Sequence, residues 1–161
     1  SMPAFELRES AAVKRRVQGG FSLIELVVVV TILGILAAFA VPRFASLEGQ
    51  ARLASTQALA GSVRSGAALA HALWLSQGDP ASASVTMEGQ PISMAYGYPD
   101  SASIEGTLVE YAGFELTSAG GAAVFTKKSQ SGETIANCFV TYTPAPAANE
   151  APQIAATTGG C

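Results

Sequence analysis

The sequence predicts an α+β fold, one long N-terminal helix of about residues 21–77 packed on a small antiparallel sheet, and three observations carry that prediction. Phe21 to Pro42 is an apolar run of 22 residues with one charge, Glu25. A helical period then continues past Pro42 with no break in composition. Beyond Pro80 the period switches toward two, in short runs separated by Gly-rich or Ser-rich clusters. A helix laid on one face of a small sheet is the economical way to bury both apolar surfaces.

The first half of the helix sets the chain's relation to a membrane. At 1.5 Å per residue the run covers about 33 Å, enough for a bilayer's hydrocarbon core. A carboxylate one turn inside such a span costs about 2.5 to 3.5 kcal/mol, so Glu25 is expected to have a partner or a task. The nearest cations, Arg16 and Arg43, are not helix neighbours at i±3 or i±4. The partner is therefore expected from processing or from another molecule. Ser1 reads as a residue left in front of the initiator Met2. Residues 2–20 carry Arg8, Lys14, Arg15 and Arg16 against Glu6 and Glu9, a net of +2. By the positive-inside rule this arm stays cytoplasmic and everything after Pro42 faces outward. The alternative is an ordinary secretory signal peptide cut at the small-x-small site Ala38-Phe39-Ala40. The internal carboxylate and the continuing helical pattern speak against it.

In the second half, Leu59, Val63, Gly66, Ala70 and Leu73 recur at helical spacing, with Ser, Thr, Gln and Arg filling much of the opposite side. The abundance of Ala and Gly between residues 51 and 72 leaves this stretch slim enough for close approach of another element. Pro42 should kink the helix or loosen the turn before it, because it lacks a backbone donor and clashes with the carbonyl four residues back. Gly78-Asp79-Pro80 marks the exit. Trp74 is expected as a core anchor between helix and sheet, and His71, without ligand partners at metal spacing, as structural or solvated.

Among the strands, Val85–Met87 and Ile92–Met94 read as a short hairpin around Glu88-Gly89-Gln90-Pro91. Leu108–Tyr111, Ala122–Lys127 and Cys138–Thr143 are further candidates, with turns at Ser118–Gly121 and Ser129–Gly132. Lys127-Lys128 reads as a pair blunting a sheet edge. In Tyr96-Gly97-Tyr98-Pro99, Gly97 permits a turn, Pro99 stiffens it, and the tyrosines can bury their rings with wet hydroxyls.

Composition excludes several functions. Residues 21–161 hold five basic and ten acidic side chains, a poor footprint for nucleic acid. With one His there is no Ser-His-Asp or Cys-His arrangement, and there is no CxxC or GxxxxGK. No enzyme, metal site or cofactor is expected.

Gly20 followed by Phe21-Ser22-Leu23-Ile24-Glu25-Leu26 resembles the cleavage and assembly motif of type IV prepilins, and Gly34 and Pro42 fall where related pilin helices carry helix-weakening residues. The resemblance implies cleavage after Gly20 by a prepilin peptidase, methylation of the new N-terminal Phe21, and a Glu25 that guides assembly by pairing with the α-amine of Phe21 in its own or a neighbouring chain. It divides the chain into a leader (1–20), a transmembrane and assembly helix (21–43) and a globular pilin head (44–161), with the first half of the helix as filament core. The arm is longer and more acidic than the short basic leaders of many type IVa pilins. Tyr96-Gly97-Tyr98-Pro99, Cys138–Thr143 and Gly159-Gly160-Cys161 further resemble the mannose-sensitive haemagglutinin class of type IVa pilins. Cys138 and Cys161 bound a Pro-rich segment on the outward side, where a disulfide is the natural state, and many pilins staple a C-terminal loop this way. Two free thiols or a metal pair would lack further ligands. The function implied is a structural subunit of a surface filament for adhesion, motility or related surface interactions. The implied partners are other copies of itself, a prepilin peptidase, the inner-membrane assembly machinery and, before assembly, the bacterial inner membrane. A type II secretion pseudopilin and a low-copy minor pilin or adhesin are the alternatives.

Overall fold

The computed structural model describes residues 19–78 and 81–161; the basic arm to residue 18, and Asp79 and Pro80 of the predicted helix exit, lie outside the described residues. The chain divides into two compact units, one ending at Pro42 and the other starting at Arg43.

Helix α1 (Leu23–Ser76) runs for 54 residues. Gly34 and Pro42 both lie within the helical assignment, which continues through them. The helix ends where Gly78 adopts a φ of +67°, a left-handed position that glycine takes without a Cβ penalty. Up to Val41 its large apolar side chains are exposed. From Thr56 onward one face is buried, comprising Thr56, Leu59, Ala60, Val63, Gly66, Ala67 and Ala70. That face meets two antiparallel sheets rather than the single one expected.

The three-stranded sheet, in the order β1 (Ser84–Met87), β2 (Gln90–Ala95), β3 (Tyr98–Pro99), packs Val85 and Ile92 on Ala70, with Leu73, Trp74, Met87 and Met94 around them. Trp74 is thus the anchor the sequence predicts, and its Nε1–H donates to the carbonyl of Ser82 at 3.2 Å. Pro91 lies in β2, not in the turn. Met87 pairs with Gln90 across the two-residue turn Glu88-Gly89, both at positive φ as a type I′ turn requires. The next pair, Thr86 with Pro91, is then a non-hydrogen-bonded one, so the missing donor points away from β1. The two-residue β3, which pairs only with Met94 and Ala95, does not reach that position.

The second sheet is a four-stranded meander, β4 (Phe114–Ala119), β5 (Ala122–Lys128), β6 (Thr134–Thr143), β7 (Gln153–Thr157). Its inward residues, among them Phe114, Ala123, Phe125, Val140 and Tyr142, close over Leu59, Ala60, Val63 and Ala67. Tyr142 is fully buried and its hydroxyl donates to the carbonyl of Pro99 at 2.6 Å, tying β6 to β3.

Two strand assignments need correction. Leu108–Tyr111 is not a strand: it follows a 3-10 helix (Ile104–Thr107) as a connection in which Leu108 and Tyr111 pack on the core and Val109 is 98% exposed. Lys127-Lys128 does not blunt an edge, because β5 is paired on both sides and β4 and β7 are the edge strands. Lys127 instead places its ammonium 4.5 Å from the centroid of the Phe114 ring on the neighbouring strand. The 3-10 helix approaches α1 at Gly66, where a Cβ would stand 3.0 Å from Thr107 Cβ and 3.1 Å from its carbonyl oxygen.

Candidate processing and assembly site

Gly19 to Ser22 precede the helix and are exposed, Phe21 at 91%. A side chain at Gly19 or Gly20 would meet nothing within 4 Å, so the Gly20-Phe21 peptide lies in non-helical, open chain. This is the conformation in which an enzyme can reach a backbone bond.

Two residues on, the helix begins with a reciprocal cap. The Ser22 amide and hydroxyl donate to Glu25 Oε2 at 2.8 and 3.0 Å, while the Glu25 amide donates to Ser22 Oγ at 3.3 Å. Ser22 is the N-cap and Glu25 the third helical residue, the spacing at which each side chain satisfies the other's free backbone donor. Considering charged partners alone misses this arrangement. Ser22-Leu23-Ile24-Glu25 is itself a capping-box signature, and it gives the uncut chain a partner for the carboxylate without any second molecule. A carboxylate in the first turn is also favoured by the helix dipole.

From Leu26 to Val41 the helix carries no charge and its large apolar side chains are exposed. The helix is long and apolar enough to cross a membrane, and its most apolar 18-residue window has none of its residues buried. Within it, the one side-chain hydroxyl that needs a partner, Thr31, donates back to the carbonyl of Val27 at 2.7 Å. Glu25 is therefore the sole charge on the exposed apolar stretch from Phe21 to Pro42.

In the second unit, Cys138 and Cys161 form a disulfide with Cα atoms 4.9 Å apart. Cys138 is fully buried in β6. The Thr56 hydroxyl donates to the Arg52 carbonyl at 2.8 Å and its oxygen rests 3.4 Å from the Cys138 sulfur. Arg52 holds the far end, with Nε donating to the Cys161 backbone oxygen at 2.6 Å and a further nitrogen paired at 2.5 Å with Glu48, one turn back on α1. Arg52 gave no sequence signal for this role, since its partner lies 109 residues away. Among the described residues no group of three or more His, Cys, Asp or Glu is placed to hold a metal ion.

Residues 15–41 match the family described as the prokaryotic N-terminal methylation motif. The chain is also similar to the type IV narrow pilus major component PilA5 of Thermus thermophilus, 55% identical over 51 residues. That match takes in 32% of this chain and spans 44% of the relative's own length. No solved structure matches the chain. The methylation motif, the identity to a pilus component over the N-terminal third, and a long N-terminal helix packed on antiparallel sheets are the features this chain shares with type IV prepilins.

Proposed function

We propose that this chain is a structural subunit of a type IV pilus, made as a membrane-anchored precursor with residues 1–20 as cytoplasmic leader. A prepilin peptidase cuts after Gly20 and methylates Phe21. The mature chain then joins a surface filament through residues 21–43, with the head from residue 44 on its outside. The role is structural, with no catalytic step of its own. The similarity to a major pilus component supports a pilus over a secretion pseudopilin.

One observation carries the reading: a lone carboxylate, oriented by Ser22 toward the start of an otherwise uncovered apolar helix, directly after an open Gly20-Phe21 bond. Cleavage makes a cation at Phe21. An α-amine with an ordinary pKa of about 7.7 to 8.0 is largely protonated at pH 7, and methylation keeps that charge. A buried carboxylate and a buried ammonium are each costly alone, and pairing offsets much of both penalties. In a bundle of apolar helices, which could otherwise slide along one another, such a pair fixes axial register between an incoming subunit and the one before it. Gly34 and Pro42 give the helix two points at which to bend as it leaves the bilayer.

Glu25→Ala tests the mechanism. The variant should still be cut after Gly20, as intact mass and N-terminal sequencing will show. It should accumulate in the membrane with few or no sheared surface filaments. Filaments at the parental level from a cleaved variant would refute the register role. A mature start at Val41 would mean that the chain is processed as a secretory protein.

A further inference from the structure

The second unit holds a cleft of about 600 Å³ that the filament role does not use. Its aromatic wall is built from the last turns of α1 and the β2–β3 turn. The His71 ring stacks on Tyr98 at 4.1 Å and 5°, and on Trp74 at 5.7 Å and 18°. His71 Nδ1 lies 2.7 Å from the carbonyl oxygen of Gly97; a carbonyl only accepts, so this nitrogen carries the hydrogen and the ring is locked in place. The opposite wall is the segment between β6 and β7, with Asn149 and Glu150.

Two of the chain's departures from easy backbone geometry line this cleft. Tyr96 and Asn149 both have positive φ, +54° and +64°. Asn tolerates that conformation, whereas for a bulky aromatic it is an outlier that needs a reason. Packing does not supply one, because Tyr96 is 56% exposed. The type I′ turn Tyr96-Gly97 would form more readily with Asn or Asp in the first position. A local rule broken without a packing gain points to a ligand for the ring. Electrostatics say which kind. Glu150 contributes a carboxylate, and no Lys or Arg lines the cleft among the described residues.

We propose that this cleft binds an organic cation, a quaternary or alkylated ammonium group held against the aromatic rings with Glu150 as counter-charge. The ring quadrupoles attract a cation over their faces, and a carboxylate on the same cleft adds to that attraction. A neutral ligand would gain from the apolar wall alone.

Trp74 is the chain's only tryptophan, so its fluorescence reports on this site alone. The full-length chain in a non-ionic polyoxyethylene detergent is titrated with choline chloride, with its neutral isostere 3,3-dimethylbutanol, and with methyl glucoside, at constant ionic strength. Choline should give a saturable change, and the isostere should bind about tenfold more weakly or worse. Glu150→Gln and Tyr96→Leu should each weaken choline binding severalfold while leaving the unfolding midpoint within error of the parent. Equal binding of choline and its isostere would reduce the cleft to an apolar groove and overturn the proposal. Saturation by the glucoside in place of choline, no saturable response to millimolar choline, or unchanged affinity in Glu150→Gln would overturn it too. The comparison of the three ligands on the parent chain stands whether or not the variants fold.

Discussion

Removing the Cys138–Cys161 bond should cost the head a measurable share of its stability. The bond joins residues 23 apart in sequence, and closing a loop of about that length removes about 11 cal/mol/K from the unfolded chain, or about 3 kcal/mol at 25 °C. Cys138 is fully buried, so Cys138→Ala adds roughly 1 kcal/mol for the vacated sulfur site. Arg52 still holds the Cys161 backbone oxygen in the double variant, but at the end of an untethered segment it must restrain that segment's entropy alone. At 2–4 °C per kcal/mol for a chain of this size, Cys138→Ala with Cys161→Ala should unfold about 10 °C below the parent. Circular dichroism on heating, in detergent, compares the oxidised chain, the same chain reduced, and the double variant. Alkylation and mass measurement confirm that both thiols are free after reduction. If the reduced chain, so verified, melts within about 2 °C of the oxidised one, loop closure is not what stabilises this end of the head.

Other outcomes follow from single contacts. Gly61→Ala, where a Cβ meets nothing within 4 Å, should stabilise by up to about 1 kcal/mol through helix propensity, whereas Gly66→Ala gains the same propensity but drives a methyl into Thr107. The two should differ by about 1–3 kcal/mol in urea unfolding, and equal stabilisation would refute the tight approach at Gly66. The Tyr142 hydroxyl is pushed well above the usual tyrosine range by burial, with Asp100 and Tyr98 adding to it. The stability it contributes is therefore complete below about pH 10, where the unfolded chain's tyrosine starts to ionise, and is lost as pH rises beyond that. Tyr142→Phe should flatten the alkaline loss of stability, and an unchanged slope above pH 10 would remove Tyr142 as its source. Ser22→Ala should cost the helix start about 1 kcal/mol. It should show as faster amide exchange at residues 23–26 in micelles, and unchanged exchange would mean that the cap does not hold the first turn.

The long-range order of this chain was legible where it is written in local periodicity. The helix bounds, the buried stripe through Leu59, Val63, Gly66 and Ala70, and the turns at Glu88-Gly89 and Gly120-Gly121 follow from spacing and from glycine placement. Gly20, Phe21 and Glu25 were legible as a motif. What could not be read depends on which elements meet. Phe114–Ala119 looks no more strand-like than Leu108–Tyr111, and only pairing with β5 selects it. Gln153–Thr157 is short and Ala-rich, and it becomes a strand because the disulfide delivers it to the open side of β6. The division into two sheets reflects the length of α1, which offers Leu59–Ala67 to one and Ala70–Trp74 to the other. Ser22 is legible too, since Ser22-Leu23-Ile24-Glu25 has the spacing of a capping box, in which a hydroxyl and not a charge meets the carboxylate.

The disulfide also governs what β7 can do with its neighbours. β7 is an edge strand, bonded on one side only, and such a strand in a crowd of identical heads is a candidate for exchange: one head's β7 can pair with the β6 of the next. On the proposed filament that crowding would be permanent, with each head held at high effective concentration beside its copies. Here β7 and the Cys138–Thr143 part of β6, against which it pairs, belong to one closed covalent ring that runs from Cys138 to Cys161 and back across the sulfurs. A strand tethered at both ends beside its own partner has little slack with which to reach another molecule, so the bond disfavours such exchange. With the bond closed, β7 is held to its own β6, whatever other copies stand beside it.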